Sequence, residues 1–271
     1  MADDEHLRAI FNQAASDYDA IRPGYPEQLF VDVIALSEIP PGGQALEIGC
    51  GTGQATLPFA QRGYHILCLD IGPDLLTIAA ENLRAFPNVH FENIAFEKWP
   101  VRAGEYDLVY AATSFHWIPR EIGYPKAALA LKPGGALAVF SNAPPRPYTG
   151  FSVEVQSIYS QYLPELPDIR ERPTIEAEIA AQAGYMRDTG LFSSLEVRTY
   201  PWTKTYTTAE YLRLLNTYSD HRAMEENRRR SLYQAIADLI ESRYAGKVER
   251  PYLTVLYLGK KASSQVPLEG N

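Results

Sequence analysis

Residues 45–56 read ALEIGCGTGQAT: an apolar run that closes on an acid, Glu47, and then three glycines at alternate positions, Gly49, Gly51 and Gly53. Glycine there lets a ligand lie against bare backbone and permits positive φ at little cost. Apolar residues resume beyond the glycines, so a helix is expected to follow, and its first N–H groups have no partner inside the helix. In α/β sheets, ligands bind beyond the carboxyl ends of the strands. The loop therefore reads as the binding site of something that lies flat on the main chain. The dinucleotide fingerprint places its third glycine three residues after the second. Here that position is Gln54, and the spacing is G-x-G-x-G.

Asp70 ends the next apolar segment, YHILCLD, twenty-one residues after Gly49. An acid at that place can accept hydrogen bonds from both hydroxyls of a ribose. Its competing role is a cap for the helix PDLL, for which Asp74 is better placed. His116 and Trp117 follow a fourth apolar segment, at the sheet edge where chemistry is expected. His116 is the candidate general base or acceptor ligand, against the plainer reading of a pocket-lining imidazole. Trp117 reads as pocket wall.

Alternating short strands and helices must position these groups. ALEIG is the first strand, and QATLPFAQRG a helix closed by Gly63. YHILCLD, NVHFEN and YDLVYAA follow as strands, with PDLLTIAAENLRAF as a helix between the first two. YPKAALALK is a helix that PGG ends, and ALAVFSN is the fifth strand. This alternation predicts a parallel sheet with helices on both faces. The rhythm changes after Asn142. Residues 151–190 read as helical, SLEVRTYPW as a strand, TTAEYLRLL as a helix with a threonine cap, 225–245 as another helix, and YLTVLYLGKK as the last strand. The expected division is 1–39 for N-terminal lid helices, 40–142 for the cofactor-binding core, 143–250 for a helical cap with the sixth strand, 251–261 for the last strand and 262–271 for a loose tail.

At this point the chain resembles the class I S-adenosylmethionine-dependent methyltransferases, in the type 11, trans-aconitate methyltransferase-like group. The likeness rests on LEIGCGTG (46–53), LDIGPDLL (69–76), NIAFEKWP (93–100), YDLVYAATSFHW (106–117) and LKPGG (131–135), in order along the chain. FNQAASDYDAIRPGYP near the N-terminus adds to it. The resemblance implies a Rossmann-like, doubly wound, seven-stranded α/β sheet, mostly parallel with an antiparallel last strand, plus an N-terminal helical lid and a helical cap. It implies S-adenosyl-L-methionine as cofactor. Gly49, Gly51 and Gly53, with Cys50 between them, would approach its methionine and ribose parts. Glu47 would orient the amino group through water, and Asp70 would hold the ribose. Ile71, Ala95 and Phe96 would surround the adenine; relatives with GDAE have an acid where this chain has IAFE at 94–97, and Phe96 could compensate by stacking. Thr113 would join the site after the fourth strand. Tyr18 and Arg22 would close over the methionine end, Arg22 pairing with a carboxylate.

The composition sets outer bounds. The 271 residues carry 25 Lys and Arg against 33 Asp and Glu, a net charge of −8, with 46% hydrophobic residues. No basic face suggests nucleic acid, and no apolar run approaches the roughly 18 residues that span a bilayer. The two cysteines, Cys50 and Cys68, have no metal-ligand or disulfide spacing. The expectation is a cytoplasmic enzyme with no metal that methylates a small molecule, an organic acid carboxylate being favoured, without nucleic-acid or membrane partners. Two rivals stand beside it. One is a non-catalytic binder of S-adenosylmethionine or S-adenosylhomocysteine, whose pocket would be plugged by Trp117 or a cap tyrosine. The other is a nicotinamide-dependent oxidoreductase, disfavoured by the glycine spacing and LKPGG.

Overall fold

A computed structural model describes residues 19–164 and 172–262. Tyr18, with the rest of residues 1–18 of the expected lid (1–39), and nearly all of the tail (262–271) lie outside the described residues. In chain order the elements are α1 (Glu27–Ser37), β1 (Gln44–Ile48), α2 (Thr56–Ala60), β2 (His65–Asp70), α3 (Pro73–Asn82), β3 (Val89–Asn93) and β4 (Tyr106–Ala112). A 3-10 turn at Phe115–Trp117 leads to α4 (Arg120–Ala130), β5 (Leu131–Ala143), α5 (Phe151–Tyr162) and α6 (Ile175–Asp188). Then come β6 (Phe192–Thr207), α7 (Thr208–Asn216), α8 (Ser219–Ala223), α9 (Glu226–Tyr244) and β7 (Lys247–Lys261).

The seven strands form one sheet in the order β3-β2-β1-β4-β5-β7-β6. β1 to β5 are mutually parallel, and β7 runs antiparallel to both neighbours. Period-two alternation sends side chains to opposite faces. Ala45, Leu108 and Tyr110 join one apolar cluster with Phe30, Phe59 and Leu83 of the α1–α3 side. Leu46, Ile48, Val109 and Ala111 join another with Tyr124, Ala127 and Met186 of α4 and α6. Both faces are thus covered, the doubly wound arrangement. Burying each large side chain, such as Phe59 with no exposed surface, contributes roughly 1.5–3 kcal/mol.

Two local features differ from the expectation. The helix after the glycine loop is confined to Thr56–Ala60, because residues 61–63 form a turn rather than a further helical turn. LKPGG does not simply end a helix. Leu131 already pairs with Tyr106, and pairing resumes at Ala136 opposite Leu108, so Lys132–Gly135 bulge out within the span of β5. Lys132 is held there by Asp107 at 2.8 Å. The threonine cap of α7 forms as read: Thr207 accepts from the Glu210 N–H, and the Glu210 side chain answers as a capping box.

β6 and β7 continue past the end of β5. The last β5–β7 pair is Ala143 with Leu253, whereas β6 and β7 stay paired to Thr207 with Lys247. This two-stranded extension carries α7, α8 and α9. Tyr206, Leu214, Leu232, Ile236, Ile240 and Val248 are all fully buried there, in a third cluster apart from the two on the sheet.

Candidate functional site

A cavity of about 590 Å³ opens at the carboxyl ends of β1, β2 and β4. Its floor is built by the glycine loop. Gly49, Gly51 and Gly53 adopt φ of 71°, 55° and 87°, a region that costs little only for glycine. Gly49 and Gly51 line the cavity. A Cβ on Gly49 would stand 2.6 Å from the Ser114 Cβ, so the loop and the segment after β4 meet without room for a methyl. Ser114 seals this contact by donating a hydrogen bond to the Ile48 carbonyl. Gly53 is turned away from the cavity: besides its positive φ, a Cβ there would stand 2.7 Å from Leu83 Cδ1.

Asp70 sits on the cavity wall at the end of β2. One carboxylate oxygen accepts from the Gly51 N–H and the other from the Gly72 N–H, each at 2.8 Å. It thereby ties the glycine loop to the start of α3. A carboxylate offers about four lone-pair sites, so holding the loop and holding a ribose are compatible. Ile71, Phe96, Leu75 and Ile94 form an apolar wall beside it. Phe96 is held from behind by near-parallel stacking on Trp99, with centroids 6.2 Å apart. Ala95 is not on that wall.

Glu47 lies beneath the loop rather than on the cavity wall. It shares its sheet face with Tyr110, and its side chain is wholly buried. Oε2 accepts from the Thr56 hydroxyl at 2.5 Å and the Tyr110 hydroxyl at 2.8 Å, while Oε1 has no partner among the described residues. Burial pushes its pKa up to about 7, partly offset by those two hydrogen bonds. Cys50 is also buried off the wall. Its thiol is pushed up by its contact with Cys68 and by burial, which leaves it a weak nucleophile.

The opposite wall joins three parts of the chain. Thr113 is a β-branched residue at φ 58°, a genuine outlier costing about 1–3 kcal/mol. It is held by a 2.7 Å hydrogen bond with the Tyr25 hydroxyl and by its own N–H on the Phe140 carbonyl. His116 and Trp117 follow on the 3-10 turn, both on the wall, with His116 exposed. Arg22 arrives from before α1 and donates to the Thr217 carbonyl at 2.8 Å, with its guanidinium 4.6 Å over the Tyr218 ring. Tyr218 and Asp220 complete this side. Trp117 and Tyr218 bound the cavity without filling it.

Of the residues singled out in the sequence, Arg22, Gly49, Gly51, Asp70, Ile71, Phe96, Thr113 and His116 converge on this cavity. Glu47, Cys50, Gly53 and Ala95 stand behind it, and Tyr18 is outside the described residues. Ser114 and Asp220 are wall residues that sequence reasoning missed. Ser114 had a signal, since it directly precedes the FHW segment. Asp220 had none, being a charge on a helical stretch. Arg146, one of the cap arginines, is spent on an ion pair with Glu178.

The arrangement fits S-adenosylmethionine. Bare backbone with positive φ stands at the strand end, an acid at the next strand end is turned to the same cavity, and an apolar wall beside it suits a purine. Residues 45–135 match the model of a methyltransferase domain. An uncharacterized methyltransferase-like protein of Schizosaccharomyces pombe is 25% identical over 86% of this chain and 86% of its own. Trans-aconitate 2-methyltransferase of Deinococcus radiodurans is 30% identical over 112 residues, 40% of this chain and 41% of its own length. A solved structure of Haemonchus contortus phosphoethanolamine N-methyltransferase 2, in complex with phosphomonomethylethanolamine and S-adenosylhomocysteine, shares the fold with a TM-score of 0.56 at 15% identity, covering 95% of this chain and 60% of that one. With its motif order, its strand order and these relatives, the chain carries a methyltransferase domain over residues 45–135, and its cavity has the backbone, acid and apolar wall that S-adenosylmethionine calls for.

Proposed function

We propose that the chain methylates a carboxylate of a small organic acid. The observation that carries this reading is the 30% identity with the Deinococcus trans-aconitate 2-methyltransferase over 112 residues. The wall offers Asp70, which is bonded to the Gly51 and Gly72 amides, and an exposed His116, and a carboxylate acceptor calls on neither as a base.

In this reading Asp70 takes the ribose hydroxyls, and Ile71 and Phe96 flank the adenine. Gly49 and Gly51 lie under the methionine part, and Arg22 pairs with its carboxylate. Glu47 reaches the ammonium through water from beneath the loop, while Cys50, Gly53 and Ala95 shape the main chain. When bound, the cofactor supplies a methyl group already activated by a sulfonium. The protein then has only to hold the acceptor oxygen in line with that methyl, about 3 Å away, and such placement lowers barriers by roughly 7–11 kcal/mol in favourable cases. Thr113 and His116 border the place where the two meet. The open cavity favours this enzyme over a non-catalytic binder. No helix among the described residues is long and apolar enough to cross a membrane, and a small, diffusible acid in the cytoplasm is the acceptor this reading expects.

The test is transfer of tritiated methyl from S-adenosylmethionine to a panel of small mono-, di- and tricarboxylic acids, with amines and phenols beside them. The expected product is a base-labile methyl ester, formed together with S-adenosylhomocysteine. Methylation of amines or phenols with every acid inert would overturn the carboxylate reading.

A further inference from the structure

A second cavity, of about 280 Å³, adjoins the first. The two share Thr113, Ser114, His116 and Ile118, so the segment after β4 is the partition between them. The larger cavity has the glycine loop, Asp70 and the apolar adenine wall. The smaller has none of these. It lies over the carboxyl end of β5, at Ser141 and Ala143, and is covered by α6. The strained backbone of Thr113 therefore sits where the two volumes touch.

The charge on the second wall is specific. Glu178 is neutralised by Arg146. Arg120, at the start of α4, makes no ion pair among the described residues. Its guanidinium lies 3.5 Å over the Tyr185 ring and makes one long contact, 3.4 Å, to the Gln182 side chain. A ring face and a side-chain amide orient a guanidinium without neutralising it. Its donor fork is suited to a carboxylate, and its exposed position gives such a ligand a route in.

We propose that the second cavity is the acceptor chamber, and that Arg120 binds a carboxylate of the acceptor other than the one methylated. The acceptor is then a di- or tricarboxylic acid. This rests on the carboxylate reading given above. The reacting carboxylate oxygen meets the larger cavity across the Thr113–His116 partition. Its bond to the methyl carbon forms as the carbon–sulfur bond breaks and that electron pair stays on sulfur. The acid loses one negative charge, the sulfonium one positive charge, and no proton moves.

The experiment measures methyl-ester formation from tritiated S-adenosylmethionine with trans-aconitate, itaconate, citrate and the monoacid crotonate, for the wild type, Arg120→Ala, Arg120→Lys and Ala143→Trp. S-adenosylhomocysteine affinity is measured by calorimetry on each. The wild type is expected to prefer the di- and tricarboxylic acids to crotonate. Arg120→Ala should raise the KM for them at least tenfold with kcat changed less than threefold, and Arg120→Lys should recover part of the loss. Ala143→Trp, which fills the chamber, should abolish transfer, and all variants should bind S-adenosylhomocysteine like the wild type. A wild type that esterifies these acids with a KM indifferent to Arg120→Ala overturns the inference and leaves the carboxylate reading standing. A wild type inert toward every acid overturns that reading, and the inference with it. Loss of S-adenosylhomocysteine binding in both Arg120→Ala and Ala143→Trp would make the second cavity part of the cofactor site instead.

Discussion

Replacing Glu47 by glutamine probes the buried acid beneath the glycine loop. The carboxyl is fully buried, bonded through one oxygen only, and its pKa rises from an ordinary 4.5 to about 7 because burial penalises the charged form. A carboxyl that holds its proton more tightly in the folded state adds stability at low pH. That contribution is complete below about pH 4.5 and is lost as the pH climbs through 7. Between pH 5 and pH 8 the loss amounts to about 2.5 kcal/mol. Glutamine keeps the shape, can accept from the Thr56 and Tyr110 hydroxyls, and does not titrate. All other groups titrate alike in both proteins and cancel in the difference. Urea unfolding of both proteins at steps from pH 5 to pH 8 should therefore show the stability difference shifting by about 2–3 kcal/mol in favour of E47Q. Parallel pH profiles would refute the reasoning, since they would mean that the folded protein carries Glu47 already ionised at pH 5.

Asp70→Ala should weaken S-adenosylhomocysteine binding at least tenfold by calorimetry, about 1.4 kcal/mol; unchanged affinity would remove Asp70 from the ribose role. The same variant should lose about 1–3 kcal/mol of stability, because the Gly51 and Gly72 amides lose their acceptor. Gly49→Ala combines a φ of 71° with a Cβ placed 2.6 Å from Ser114. It should abolish S-adenosylhomocysteine binding and lower the melting temperature, and a variant that binds normally would show that the loop yields to the added methyl. His116→Ala should leave kcat for an acid acceptor within tenfold, because a carboxylate gives up no proton. A fall of about 10²–10⁴ would identify a general base and argue against a carboxylate acceptor.

Much of the cofactor side was legible because its signals are local. Glycines at alternate positions, an acid at a strand end and a fixed order of short apolar runs each reflect a backbone requirement that few residue types meet. The doubly wound sheet followed from the alternation of strands and helices. What escaped depends on contacts between distant segments. Gly53 reads like its two neighbours and shares their positive φ, yet it backs onto Leu83, just past the end of α3, rather than onto the cavity. The resemblance gives Glu47 the cofactor's amino group through water, and its parity with Ala45, opposite to Leu46 and Ile48, puts its side chain on the α2 side, beneath the loop. LKPGG read as a helix stop, because nothing in the sequence shows that Leu131 would pair with Tyr106 before the bulge. Arg120 does not stand out in the sequence: an arginine opening a helix is usually solvated, and only the pairing of Glu178 with Arg146 and the placing of Tyr185 under its guanidinium leave it without an ion pair among the described residues.

The β6–β7 extension that carries α7, α8 and α9 gives those helices an apolar core of their own. Effects of substitutions more than about 7–10 Å apart, with no shared partners, generally add. Changes around Leu214, Leu232 or Ile236 should therefore act first on the Tyr218–Asp220 wall of the larger cavity and leave the packing of the sheet as it is. Such a chain is built for evolvability: the helices on the ribbon can drift and reshape one wall of the larger cavity while the sheet keeps the glycine loop and Asp70 in place. The ribbon between them is also a natural graft point for a laboratory chimera that exchanges the cap of one methyltransferase for that of another.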